Sequence, residues 1–91
     1  MVIKFSRHIT DKLVLELSKM GITEEFLEEV VNRPDEVLYD SVTRRYVALK
    51  MVRNLAVVYE TSGRDIFIIT AIHSSNLEDV VQKRKKSGRW L

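Results

Sequence analysis

Cysteine is absent from all 91 residues, so no disulfide framework and no thiolate site is available, and packing alone must hold the fold. That suits a reducing cytoplasm. Only three glycines and one proline occur, so each reads as a boundary mark within an ordered chain. The two histidines, His8 and His73, lie far apart, and without cysteine they supply no cluster of metal ligands. No Gly-rich phosphate loop, Gly-x-Ser-x-Gly elbow or dinucleotide fingerprint appears, so no cofactor is expected. No apolar run approaches the roughly 18 residues that a membrane span needs, and Met1-Val2-Ile3-Lys4 lacks the apolar core of a signal peptide. These absences predict a soluble, cytoplasmic chain with no membrane partner.

What is present suits one modest core. Apolar residues make up 45% and charged residues 31%, which predicts a single globular domain over residues 1–91. The net charge is only +2, but it is unevenly spread. Residues 1–40 hold five Lys/Arg against nine Asp/Glu, and residues 41–91 hold ten against four, so the halves carry −4 and +6. A basic half raises the case for a polyanionic partner, whereas an acidic half argues against indiscriminate coating of nucleic acid. Uneven scatter over a solvated surface accounts for the same asymmetry.

The order of elements is read from periodicity. Met1–Phe5 reads as a short strand. Ile9, Leu13, Leu17 and Met20 recur at helical spacing, which predicts a helix from His8 to Met20 stopped by Gly21. Thr23 is placed to cap a second helix, with Glu24 and Glu25 in its first turn and Ile22 and Leu27 set as a hydrophobic staple. Phe26, Leu27, Val30 and Val31 form its apolar stripe, and Pro34 ends it.

The period then becomes that of strands. Val37–Val42, Arg44–Val52, Leu55–Thr61 and Arg64–His73 are rich in β-branched and aromatic residues, with Arg53-Asn54 and Ser62-Gly63 as two-residue turns. Connections this short require antiparallel neighbours. Pairing Val52 with Leu55 and Thr61 with Arg64 puts Val47, Leu49, Met51, Ala56, Val58, Phe67 and Ile69 on one face. Tyr46, Lys50, Val57, Tyr59, Ile66, Ile68 and Ile72 fall on the other. Both faces are apolar, so both need cover. The N-terminal helix pair is assigned to the first face. A C-terminal helix, begun by a Ser75-x-x-Glu78 capping box and buried through Leu77, Val80 and Val81, is assigned to the second. The predicted core combines Leu13, Leu17, Phe26, Val30, Leu49, Val58 and Ile69. The fold class is α+β, with a twisted antiparallel sheet between helices.

Phe5-Ser6-Arg7-His8, Met20-Gly21-Ile22-Thr23-Glu24-Glu25 and Val31-Asn32-Arg33-Pro34-Asp35-Glu36-Val37 resemble segments of the RelE/ParE superfamily of toxins. So do Leu55-Ala56-Val57-Val58-Tyr59-Glu60 and Ile68-Ile69-Thr70-Ala71-Ile72-His73. The chain is most similar to the BrnT-like branch and to a related family of small RelE-like domains, over roughly residues 3 to 75. This resemblance implies a RelE-like fold and a metal-independent ribonuclease of a toxin–antitoxin pair, acting on RNA free or on the ribosome and held inactive by a cognate antitoxin protein. The same fold without turnover gives a binding module for RNA or protein, and fold alone does not choose between them.

Cleaving RNA without metal needs a base for the ribose 2′-OH, a cation for the growing phosphate charge and an acid for the departing 5′-oxygen. The positions that the resemblance matches to these roles are His73, Lys50 and Arg45, with Arg53 at the turn. BrnT-like proteins tend to carry Arg where this chain has His73. Histidine is the residue type that titrates near neutrality, yet His73 also reads simply as a strand end near solvent. In the register above it lies opposite the face of Tyr46 and Lys50. His8, at a helix start, reads as a local hydrogen-bonding or packing residue. Lys50 interrupts an apolar strand, as a catalytic cation or as a lysine snorkelling to water. For RNA binding the candidates are Arg44, Tyr46, Arg53, Lys83, Arg84 and Lys85. Tyr46 and Tyr59 share a face and offer stacking, although tyrosine is common on sheets. Lys83-Arg84-Lys85-Lys86 also suits the negative end of a helix, and Trp90 suggests a tail that docks back or meets a partner.

Overall fold

Ser6 fixes the start of the fold. Its Oγ accepts from the Ile9 N–H at 3.0 Å, capping α1 (Arg7–Leu15), and donates to the Ile69 carbonyl at 2.6 Å. One residue thus begins a helix and ties it to a strand 63 positions later. The computed structural model describes residues 2–91; Met1, included in the predicted first strand, lies outside the described residues. That strand, β1, spans Ile3–Phe5.

The helix predicted from His8 to Met20 is broken. Glu16 leaves helical geometry at φ −129°, ψ −58°, and Leu17–Met20 follow as a 3₁₀ turn. The break keeps Leu17 fully buried while the chain reverses. Gly21 then takes the left-handed backbone, φ 75°, and its N–H closes onto the turn. α2 (Glu24–Asn32) is capped as its sequence predicts, with Thr23 Oγ1 accepting from the Phe26 N–H at 3.2 Å. Ile22 and Leu27 are buried in one cluster. Arg33 ends the helix before Pro34.

The strands are β2 (Glu36–Asp40), β3 (Arg45–Lys50), β4 (Leu55–Ser62) and β5 (Asp65–His73), ordered β1-β5-β4-β3-β2 in one sheet. β2 to β5 form the predicted antiparallel meander. The sheet is nonetheless mixed, because β1 pairs parallel with β5, Ile3 facing Ile66 and Phe5 facing Ile68. No short turn joins these two strands, so nothing local forces them antiparallel.

Both predicted turns shift. Lys50, not Val52, faces Leu55, and the connection is a 3₁₀ turn at Met51–Arg53 closed by Asn54 at φ 53°. Ser62 faces Asp65, so the two-residue turn is Gly63-Arg64, with Gly63 at φ 60°. Asparagine and glycine are the residues that tolerate these left-handed positions. The turn shifts move each register by two, so the predicted face parity of β3 and β4 survives.

In β5 it does not survive. Tyr59 faces Ile68, but Val58 faces Thr70, so Ile69 is an extra residue. This β-bulge reverses the alternation beyond it. Ile72 therefore joins the face of Ala56, and His73 joins the face of Leu55.

The two helical layers are exchanged relative to prediction. α1, the 3₁₀ turn and α2 cover Ala48, Leu55, Val57, Tyr59, Ile68 and Ala71. The last helix, α3 (Leu77–Lys86), covers Val47, Leu49, Ala56 and Val58 through Leu77, Val81 and Trp90. The single predicted core is thus two clusters with the sheet between them. Leu13, Leu17 and Val30 lie in one and Leu49 and Val58 in the other, while Phe26 and Ile69 are only partly buried. The Ser75 capping box does not form: Asn76 stands at the cap position without a side-chain bond. Beyond α3, residues 89–91 run antiparallel along the outer edge of β2. Ser41 N–H donates to the Arg89 carbonyl at 2.7 Å and Leu91 N–H to the Tyr39 carbonyl at 2.9 Å. No helix among the described residues is long and apolar enough to cross a membrane.

Candidate nucleic-acid surface

The candidate cations and His73 fall into three regions. The first is the row Lys50, Leu55, His73 across β3, β4 and β5, where the bulge at Ile69 brings His73 onto the face of Lys50. Two strand spacings separate their backbones by about 10 Å. Leu55 between them is fully buried, so helical cover stands over the middle of the row. Lys50 Nζ pairs with Asp35 Oδ1 at 3.8 Å, and the other Asp35 oxygen accepts from the Met51 N–H. Arg53 lies on the helix hairpin, its guanidinium 4.6 Å from the Phe26 ring centroid and its Nη2 3.5 Å from the Met20 carbonyl.

Arg45 stands elsewhere. It begins β3 on the opposite face, and its Nε donates to Glu60 Oε1 at 2.8 Å. The structure therefore separates Arg45 from Lys50 and His73, by the length of β3 and the thickness of the sheet. Register places Arg45, Glu60, Phe67 and Lys4 in one row, beside an open hollow of about 320 Å³ that Lys4, Glu60, Thr61 and Phe67 help to line.

The third region is the corner where the β2–β3 turn meets the end of α3. Asp40 organises it. Its Oδ1 accepts from the Val42 and Thr43 N–H groups at 2.9 and 3.0 Å, and its Oδ2 from Trp90 Nε1 and Arg89 Nε, both at 3.1 Å. Burial pushes the Asp40 carboxyl up, but these four hydrogen bonds outweigh it and lower its pKa to about 2. Arg44 closes the turn at φ 60°, with its N–H on the Asp40 carbonyl. Arg84 lies over the Trp90 ring, 4.7 Å from its centroid. Burial lowers the Arg84 pKa, the neighbouring Arg89 lowers it further, and Asp40 opposes both. Lys85 pairs with Glu36 at 3.1 Å, and Lys83 is exposed.

On the helix-hairpin face of the same sheet end, Tyr39, Tyr46 and Tyr59 form a row. Tyr46 stacks on Tyr59 at 5.7 Å between centroids and meets Tyr39 edge-on at 5.4 Å. Tyr59 is buried, and its hydroxyl pKa is raised by that burial and by Tyr46 beside it. Neighbours flank the Tyr46 ring on both sides, so what it offers a ligand is its rim and hydroxyl more than an open face. Arg84, on the Trp90 ring, lies across the sheet from Tyr46.

His8 is a hydrogen-bonding residue, with a partner distant in sequence. Its Nε2 lies 3.1 Å from Thr70 Oγ1, and one turn on Lys12 Nζ donates to the Ala71 carbonyl at 2.7 Å. Together they cover the edge of β5 beyond the end of β1. Among the described residues, no three His, Cys, Asp or Glu side chains group as a metal centre would need.

Arg89 and Asp40 join the site although neither stands among the candidate residues read from the sequence. Gly88-Arg89-Trp90, an arginine between a turn glycine and the only tryptophan, was the available signal; nothing local pairs it with Asp40. Comparison with protein-family models, curated proteins and solved structures gives no match. What the site and fold define without them is an α+β domain with a basic corner at one end of its sheet.

Proposed function

We propose that this chain is an RNA-directed domain of the RelE/BrnT-like kind, binding RNA in the cytoplasm through the basic corner of its sheet. The observation that carries this reading is the placing of Arg89 on the Asp40 carboxylate and Arg84 on the Trp90 ring that bonds it, with the Asp40 acceptor positions already in use, Arg44 in the adjoining turn and Lys83 next to Arg84 on α3. An excess of cations over anions favours a polyanion, which binds by releasing its counterions. On the RelE/BrnT-like reading, the natural protein partner is a cognate antitoxin, and the RNA is met free or on the ribosome.

A second reading, metal-independent ribonuclease, is favoured by the bulge that sets His73 on the face of Lys50. His73 would serve as proton-transfer group and Lys50 as the cation, while Arg45 is held by Glu60 on the far side. Binding without turnover needs none of these to converge, and Leu55 lies covered between them.

One experiment addresses both. Fluorescently labelled single-stranded RNA is titrated with purified protein at several salt concentrations, and the same RNA, free and on ribosomes, is then analysed for cleavage with chelator present. Binding that weakens steeply with salt supports the first reading. Chelator-resistant cleavage leaving 2′,3′-cyclic or 3′-phosphate ends adds the second. Absence of binding at low salt removes RNA from the account.

A further inference from the structure

We propose that Arg84 and Arg89 form a clamp for a backbone phosphodiester at the corner where α3 meets the β2–β3 turn. The clamp rests on the RNA-directed reading and specifies which groups hold the nucleic acid and by which part.

Each guanidinium is anchored by a different buried partner. Trp90 is 1% exposed, and Arg84 lies on its ring without an ion pair among the described residues. Asp40 is 3% exposed and takes Arg89 through Nε alone, leaving the two terminal nitrogens of a half-exposed side chain unengaged by it. Two arginine forks are thus held close together on rigid supports, which lowers the entropy lost when they bind.

The charge balance at this corner is incomplete. Arg89 pairs with Asp40, whose oxygens each already accept two hydrogen bonds, and Arg84 beside it has no ion pair among the described residues. Arg89 makes the protonated form of Arg84 less favourable, which is the mark of like charges held near one another. An anion between the forks relieves that repulsion, and a phosphodiester offers two unbridged oxygens matched to paired N–H donors. Lys83, on the preceding position of the helix, and Arg44, in the turn, extend the same charge to either side. A polymer of phosphates uses all four, whereas a single small anion uses only the pair. RNA is therefore the occupant favoured over an acidic peptide, whose carboxylates are spaced irregularly.

Trp90 is the only tryptophan, so its indole N–H resonance reports directly on the corner. Hexauridylate is titrated into isotopically labelled protein, with a hexaglutamate peptide as the carboxylate control. The expected result is a saturable shift of the indole resonance with the RNA alone. Arg84→Gln is expected to weaken binding about ten- to hundredfold, the usual weight of a lost charge-assisted contact, and Arg84→Lys by less. Arg89→Gln also removes a partner of Asp40, so the Arg84 variants, which leave the Asp40 bonds intact, decide the question. RNA binding that is unchanged in Arg84→Gln, or that leaves the indole resonance unmoved, overturns the clamp while the RNA-directed reading stands. An equal response to hexaglutamate overturns the choice of phosphate in favour of an acidic protein segment. No binding of RNA by the natural sequence overturns both.

Discussion

Trp90 donates its indole N–H to Asp40 at 3.1 Å across 50 positions of sequence, and both residues are buried. The bond joins the last turn of the chain to the tip of the first hairpin. Because the same carboxylate also holds Arg89 and two turn amides, losing it leaves several donors without a partner.

Acid should therefore loosen this corner. The folded-state pKa of Asp40, about 2, lies below its unfolded value, so the native state binds fewer protons than the unfolded chain. Its contribution is fully present above about pH 5 and is lost as the pH falls towards 2; the shift corresponds to about 2 kcal/mol. Asp40→Asn is expected to be less stable at neutral pH by about that amount or more. Urea unfolding followed by Trp90 fluorescence at pH 7, 4 and 2.5 checks this, since the variant should lose less on acidification than the natural chain.

Two separate cores make a prediction that one core does not. Leu17 and Leu49 lie in different clusters, on opposite sides of the sheet. Truncating either to Ala should cost about 2–5 kcal/mol. The double variant should lose the sum of the two within about 0.5 kcal/mol, because the residues share no cluster. Denaturant midpoints and slopes for the four proteins measure the coupling, and a large deviation from additivity would refute the layering.

The cations of α3 should not contribute equally to RNA binding. Lys83 is exposed, whereas Lys85 is paired with Glu36. Lys83→Ala is expected to reduce the slope of log affinity against log salt by about one, the signature of one phosphate contact. Lys85→Ala should change the slope less, because it also frees a carboxylate. Fluorescence anisotropy across a salt series reads both.

If the chain cleaves RNA, removing a proton-transfer group should slow it by roughly 10²–10⁴-fold. His73→Ala is then expected to lose most activity and Lys50→Ala much of it, while Arg45→Ala, whose partner is Glu60, should change the rate little. Equal losses for Arg45 and Lys50 would show that the reacting phosphate sits elsewhere. His8→Ala is the companion control, since its imidazole meets Thr70 on the other border of β5.

Much of the fold was legible because alternation is a strong signal. Val47, Leu49, Ala56 and Val58 share a face as their spacing predicts, and Thr23, Gly21 and Pro34 punctuate the helices as their chemistry requires. The assignment of helices to faces was not legible, since both faces are apolar and neither carries a mark of its partner. The bulge at Ile69 left no trace either: no glycine stands there, and an isoleucine alternates like any other. Yet that single extra residue decides which face His73 shares. The site suffered similarly from distance. Lys83-Arg84-Lys85 was visible as a run, but Arg89 gains meaning only from Asp40, which nothing near it in sequence reveals.

The parallel seam between β1 and β5 has a consequence for how the chain folds. Ile3 waits for Ile66, and Ser6 for Ile69, so the first strand has no sheet partner until the last strand is made. Helices and hairpins between them close over short loops and form early, whereas this contact closes over most of the molecule. During synthesis the N-terminal strand therefore cannot be locked before β5 has been made and β1 has docked on it. Until then the far border of β5 is an open edge, the kind on which nascent chains pair wrongly.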